Sequence, residues 1–346
     1  MRFASISSAV FGLLLLAFTP SVSARELDFR TTLGVTARYD DNIFQYSDNN
    51  LARFAPSDPA RPKYAGLDST DDFIVSPSLD IRATLRGPRP TRVFAGIDLN
   101  AYRRNTIKNY QAYSVGISQR VVGKTDVILR YRLIPSFFVG RLADPPNQTA
   151  TYAPADFRLD AWRLVLDSDL TPRFSAQVFG IWEQKDYNGA FDERDTTVKG
   201  GGLAATARFH RALALKLGVE TETGDAAGDD PAFAALNSDS SYREKTVSIK
   251  PTFSPSPAWD LSAGFARAWR DYTSSRGTPL NPDANYFGRE DTTDTIGLGV
   301  RVDLTRAMNL RAAYDRIERS SNKTGVDLEF GTYTEQRETI GVEYRF

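Results

Sequence analysis

The sequence predicts an all-β fold, a transmembrane up-and-down antiparallel β-barrel of about fourteen strands, with twelve to sixteen as the workable range. Three observations carry that reading. Tight turn signals alternate with long polar segments along the chain, the runs between them alternate apolar and polar residues, and the last such run ends in an aromatic residue at the carboxylate.

At the N-terminus, Arg2 precedes the short apolar run Val10–Phe18, and Val22-Ser23-Ala24 offers small residues at a cleavage site. That run is about half of the ~20 apolar residues a membrane helix requires, so residues 1–24 read as a cleaved signal peptide and 25–346 as a single barrel domain. No later stretch approaches the length of a spanning helix. A barrel hides its membrane character in such a composition, because lipid-facing and lumen-facing residues alternate and average to a polar chain.

The chain has no cysteine, and its 43 basic residues balance 43 acidic ones. An exported chain of this size without disulfides needs a large hydrogen-bonded sheet or a large core to hold it together. The charge balance argues against a polybasic nucleic-acid binder.

Six short turns are expected at Gly87-Pro88-Arg89-Pro90, Val122-Gly123-Lys124, Thr171-Pro172-Arg173, His210-Arg211, Pro255-Ser256-Pro257 and Thr305-Arg306-Ala307. Between them lie the longer polar segments 41–71, 104–109, 139–156, 186–196, 223–242, 273–291 and 318–332. Sorted connections of this kind suit strands that run up and down through a bilayer, with tight periplasmic turns and long outer loops. A soluble Greek-key sandwich has no reason to sort its loops. Two strands per short turn plus two terminal strands make fourteen, which puts both termini in the periplasm.

The strand faces agree. In Trp259–Trp269, both tryptophans share a face with Leu261, Ala263 and Phe265, and Phe174 and Trp182 bracket Ala176, Val178 and Gly180 in the same way. Ten residues at ~3.3 Å each, tilted ~40°, span roughly the 25 Å lipid-facing band between aromatic girdles. Arg267 falls on this apolar face, where snorkelling or a bulge would relieve it. Pro77, Pro135 and Pro251 are expected at strand starts, strand ends or bulges, since proline cannot donate to a ladder. The final run places Ile340, Val342, Tyr344 and Phe346 on one face. Ending in Tyr344-Arg345-Phe346, it resembles the C-terminal signature of outer-membrane barrels, which implies recognition by the barrel-assembly machinery.

Near the N-terminus, Leu33–Tyr39 alternates cleanly and runs into Asp40-Asp41-Asn42-Ile43-Phe44. The step formed by Tyr39, Asp40, Asp41, Asn42 and Phe44, followed by Ser76-Pro77 in the next strand, resembles the β-barrel porin type 2 family of outer-membrane proteins. The resemblance implies a Gram-negative outer-membrane location and an association with exopolysaccharide or capsule export. The residues themselves also suit a plainer role, since Asp and Asn mark strand ends by bonding their own backbone.

Catalytic chemistry finds little support. The one histidine, His210, lies in an expected turn at the end opposite the outer loops, and a general base must reach its substrate within hydrogen-bond distance. No cofactor and no metal site is expected. Lys199-Gly200-Gly201-Gly202 reads as a strand passing a crowded place. The acidic groups Asp68, Asp71, Asp72, Asp225, Asp229 and Asp230 read as solvated loop carboxylates. Tyr152, Phe191, Phe233, Tyr286 and Phe287 are loop aromatics that could stack on sugars or fold over the barrel mouth.

Lumen-lining candidates are Arg82, Asp98, Arg130, Arg132, Asp160, Arg163, Asp167, Lys216, Glu220, Arg301, Asp303 and Glu343. Either they pair across strands and rigidify the barrel, or they line a wet channel. Pairing with a narrow residual channel is the reading adopted. The expected function is an outer-membrane channel or scaffold in polysaccharide export or surface organisation. The alternatives are a general diffusion porin for small hydrophilic solutes and a structural barrel with a plugged lumen. Expected partners are outer-membrane lipid and lipopolysaccharide, the assembly machinery, and polysaccharide or export components.

Overall fold

The computed structural model describes residues 27–143, 151–229, 239–274, 277–278, 281–282, 285–323 and 331–346. The expected signal peptide, Asp230 and Phe233 lie outside them, as does the side chain of Asp229. Fourteen antiparallel strands form one closed barrel in which each pairs with its chain neighbours. They are β1 (Leu27–Asp40), β2 (Asp72–Leu85), β3 (Thr91–Tyr102), β4 (Tyr110–Val122), β5 (Thr125–Ala143), β6 (Tyr152–Asp169) and β7 (Phe174–Tyr187). The second half comprises β8 (Thr196–His210), β9 (Leu213–Ala226), β10 (Tyr242–Ser256), β11 (Trp259–Tyr272), β12 (Glu290–Asp303), β13 (Met308–Ser321) and β14 (Tyr333–Arg345). The ring closes where β1 pairs with β14, from Thr32 opposite Arg345 to Asp40 opposite Arg337. Closure leaves no strand edge, so apart from the proline positions and bulges the backbone groups of the wall find partners within the sheet.

All six expected short turns connect strands, at β2–β3, β4–β5, β6–β7, β8–β9, β10–β11 and β12–β13. Both described ends of the chain lie at this short-turn end of the barrel. Large apolar side chains cover the outside: Val35, Ile81, Val93, Leu166, Val178, Leu217, Ile249, Leu298 and Val342 are all exposed. Aromatic residues bound this belt, with Phe29, Phe174, Trp259 and Tyr344 toward the short turns and Tyr39, Tyr113 and Trp269 toward the long loops.

Three expectations need correction. Pro77 and Pro251 stand inside continuous strands rather than at ends or bulges. Each keeps its pairing on one side, Pro77 opposite Val35 and Pro251 opposite Leu215. On the other side the ladder skips a step without losing register. Proline lacks one N–H, so only one neighbour loses a bond; Pro135 alone sits at a register shift. Arg267 needs neither a bulge nor snorkelling: Asp294, directly opposite on β12, receives both Nε and Nη2 at 2.6 Å.

The first long loop turns inward. Its Ile43, Phe44, Tyr46, Tyr64 and Leu67 are buried against Ile74 and Tyr102, a directly opposed pair on the lumen side of β2 and β3, and against Phe138 of β5. Phe44 stacks on Tyr46 at 5.3 Å and meets Phe138 edge-on at 6.5 Å. The loop is thus a small hydrophobic core seated in the mouth of the barrel.

Candidate functional site in the barrel lumen

Directly opposed residues in an antiparallel pair share a face, so the register sorts every strand residue into outside or lumen. Arg82, Asp98, Arg130, Arg132, Arg163, Asp167, Lys216, Glu220, Arg301, Asp303 and Glu343 share the parity opposite to the exposed apolar belt. Asp160 does not. It lies opposite Leu133 and on the same face as Trp162 and Leu164, and so faces outward. It accepts a hydrogen bond from Tyr131 and one from Arg158 Nε at 2.6 Å. Near the long loops the outer face becomes polar, and there Asp160, like Asp294 beside Arg267, meets its partner on the outside.

The expectation of paired lumen charges divides by height. Toward the long loops many of the charges are engaged, and several are buried. Asp291 is held by Arg289 at 2.9 Å and by Arg319, with all three side chains nearly inaccessible. Arg337 bridges Glu335 at 2.5 Å and Asp40 at 3.4 Å. Arg270 meets Glu244 at 2.7 Å and Glu222 at 3.8 Å. None of these groups except Asp40 was singled out in the sequence; Arg319–Asp291, Arg337–Asp40 and Arg270 with Glu222 and Glu244 cross strands whose register is not local, while Arg289–Asp291 and Arg337–Glu335 lie two residues apart in the chain.

Toward the short turns the pattern changes. Arg301 reaches Asp303 at 2.7 Å and Arg311 reaches Glu343 at 2.8 Å. By contrast Arg82, Asp98, Arg130, Arg132, Arg163, Asp167, Lys216 and Glu220 have no ion-pair partner within 4.0 Å among the described residues. Arg82, Asp98, Arg130, Arg132, Arg163 and Lys216 are nonetheless exposed to solvent while facing inward. The interior is therefore wet at this level, and pairing there is only partial.

The family-motif residues meet at the seam and the mouth. Tyr39 points outward and donates its hydroxyl to Asp71 at 3.1 Å. Asp41 Oδ1 accepts from the Gln336 amide at 2.7 Å, and Asn42 Nδ2 donates to the carbonyls of Tyr46 and Thr334 at 2.8 and 3.1 Å. Asp40 joins the Arg337 bridge, and Phe44 anchors the inward loop. The motif thus clasps β1 to β14 and pins the loop, which is the strand-end role open to Asp and Asn in the sequence.

Lys108, in the short connection after β3, completes the plug. It is buried, donates to the Phe138 carbonyl at 3.1 Å and lies 4.7 Å from the Phe44 ring and 5.2 Å from the Phe137 ring. Burial pulls its pKa down to about 8, while the carboxylates of Asp40 and Glu335 act in the other direction. Asp72 is not a solvated loop carboxylate. It is buried and accepts from the backbone amides of Arg103, Arg104 and Asn105, organising that same connection. Asp71 is likewise engaged, by Ser69, Tyr39 and Arg104. Among the loop aromatics, Phe191 is buried with Leu142 and Ala155, and Tyr286 receives a hydrogen bond from Arg194 at 3.1 Å. Phe287 stays exposed. His210 lies at the β8–β9 turn, where its Nδ1 accepts from the Ala212 amide.

No family model matches the chain, and no curated protein matches it. Among solved structures it is similar to the outer membrane channel DcaP of Acinetobacter baumannii, with a TM-score of 0.50 and 11% identity over 94% of this chain and 99% of that one. It is also similar to a loop-deletion variant of OmpT, an outer membrane protein of Vibrio cholerae, with a TM-score of 0.48 and 8% identity over 92% and 99%. An anion-selective porin from Comamonas acidovorans aligns with a TM-score of 0.45 and 10% identity over 92% and 99%. At such identities the likeness is one of fold, an outer-membrane type of closed β-barrel.

Proposed function

We propose that the chain is an outer-membrane channel that passes hydrated solutes, with its short turns and termini on the periplasmic side and its inward loop narrowing the outer mouth. The observation that carries this reading is the set of inward-facing, solvent-exposed and unpaired charges inside a wall whose outside is apolar. Such an apolar surface on all sides of a barrel suits lipid, not water. Charges without partners inside it suit a water-filled path, since an unpaired charge in a dry core costs several kcal/mol. No residue is assigned to catalysis. The exposed Tyr344 and Phe346 rings, 4.8 Å apart at the end of the seam, suit the assembly signal expected of the C-terminus.

Polysaccharide export is the finer reading and stands on the family resemblance alone, because the motif that suggests it serves the seam and the plug. Planar-bilayer recording tests the channel. Discrete openings that enlarge when residues 47–66 are replaced by a short Gly-Ser linker are expected. Absence of any conductance from both proteins, each showing the boiling-dependent gel shift of a folded barrel, would overturn it. Deleting the gene and measuring surface polysaccharide then tests the export role.

A further inference from the structure

Three pairs of cations with no ion-pair partner among the described residues stand directly opposite one another on the lumen face, Arg30 and Arg82, Arg130 and Arg163, and Lys216 and Lys250, whereas a fourth pair, Arg301 and Arg311, is matched by Asp303 and Glu343. Like charges in direct register destabilise a sheet, so their presence calls for a cause. Arg130 and Arg163 form the most built of the three. The guanidinium of Arg163 lies 4.0 Å from the Phe179 ring of β7, and that of Arg130 lies 5.5 Å from the Phe94 ring of β3. Each ring in turn lies over a glycine of the next strand. A Cβ at Gly116 would come within 2.3 Å of Phe94, and one at Gly202 within 2.6 Å of Phe179.

Each arginine thus has a phenylalanine ring lying over a glycine beside it: Phe94 of β3 lies over Gly116 of β4, on the side of Arg130, and Phe179 of β7 lies over Gly202 of β8, next to Arg163. Each guanidinium therefore has an aromatic neighbour within cation–π range. Neither arginine has a hydrogen-bond or ion-pair partner among the described residues, and both are exposed to the lumen. Arg132, next on the same face of β5, is exposed as well. The nearby acids do not neutralise them. Asp126 is held by Arg120 at 3.0 Å and Arg92 at 3.6 Å. Glu220 feels the charge of Arg163 without reaching ion-pair distance.

We infer that Arg130 and Arg163 form an oxyanion-binding station in the channel, for solutes that present a phosphate or carboxylate group. A planar guanidinium stacked on an aromatic face keeps its bidentate fork available for such a group, and two opposed forks provide the positive field that the sheet itself disfavours. The inference extends the channel reading by naming the chemistry of the solute.

Two independent measurements test it on the full barrel in detergent and in bilayers. Pyrophosphate binding is followed by calorimetry, with wild type compared to Arg130→Gln/Arg163→Gln and to Arg30→Gln/Arg82→Gln, which removes equal charge from an opposed pair without the ring seats. The first variant is expected to weaken binding at least tenfold and the second less than threefold; Arg130→Lys/Arg163→Lys is expected to fall between them. Folding is checked by the boiling-dependent gel shift, and loss of a like-charge contact favours it. Equal weakening by the two Gln variants, or none by the first, overturns the station. In bilayers the chloride-to-potassium permeability ratio of the first variant is expected to drop severalfold. A wild type without conductance would remove the channel reading, while the calorimetry would still decide the station. Oligogalacturonate in place of pyrophosphate distinguishes a carboxylated glycan from a free solute: binding at equal or lower concentration identifies the glycan as the preferred source of the oxyanion.

Discussion

The two halves of the lumen treat the same residue types in opposite ways. Toward the long loops, Asp291 sits buried between Arg289 and Arg319, and a half-buried Arg337 lies between the buried Asp40 and Glu335. Toward the short turns, Arg82, Arg130, Arg163 and Lys216 face the interior exposed and without ion-pair partners among the described residues. The strands are shared; what differs is the loops, with Phe44, Tyr46 and Tyr64 of the first loop and Tyr286 of the loop before β12 buried at one end only. Where water is excluded, a charge must find a counter-charge or it destabilises the fold, and where water remains it need not. Buried pairs in this barrel therefore mark the dry part of the interior, and exposed unpaired charge marks the path.

That contrast is open to direct attack. The largest effect is expected from Asp291→Ala, which strands two buried arginines and should cost about 3–5 kcal/mol, read as a lower denaturant midpoint for loss of the unboiled gel form. An unchanged midpoint would mean the upper half is wetter than its burial suggests. Phe44→Ala should cost about 3 kcal/mol, confined to the loop. Hydrogen exchange across 41–71 should accelerate while the barrel strands stay protected, and single-channel conductance should rise.

Lys108→Met sharpens the comparison through pH. The folded-state pKa of Lys108 lies below its ordinary value of 10.5, at about 8. Between these two values the open state keeps the proton and the closed state does not. The loop contact therefore gains stability as pH rises through that window and gains nothing from this group below it. Exchange protection of 41–71 should increase from pH 8 to 10.5 in wild type more than in Lys108→Met, and identical pH profiles would count against a buried cation in the plug. The smallest effect is expected at Asp98→Ala, exposed to the lumen and without an ion-pair partner among the described residues, where a change within about 0.5 kcal/mol is expected. A larger loss would reveal a pairing that water hides.

Much of the wall was legible in the residues. The short turns read from Gly-Pro, Pro-Arg and Thr-Arg steps all join strands, and the alternation in Trp259–Trp269 and Ile340–Phe346 sorts outside from inside. Turn chemistry and a period of two are local properties, so a single sequence displays them. Asp160 shows where that reading fails. Its parity with Trp162 and Leu164 was visible, but a carboxylate outside a barrel is unexpected until Tyr131 and Arg158 are seen beside it, above the apolar belt. Asp72 was equally opaque, because its partners Arg103, Arg104 and Asn105 come from the next connection. The groups formed by Gly116, Phe94 and Arg130 and by Gly202, Phe179 and Arg163 draw on residues of three strands each, and nothing in their spacing announces them.

By itself the sequence set the number of strands to within two, placed the six short reversals and sorted most side chains into outside and inside, because each is decided within a few residues of backbone. Only the tertiary structure decided which charges meet. Closing β1 onto β14 sets the register of every strand across the ring, and the same seam, through Asp41, Asn42 and Phe44, aims the first loop into the mouth. Register and water exclusion together select which arginines are paired and which remain open to a solute.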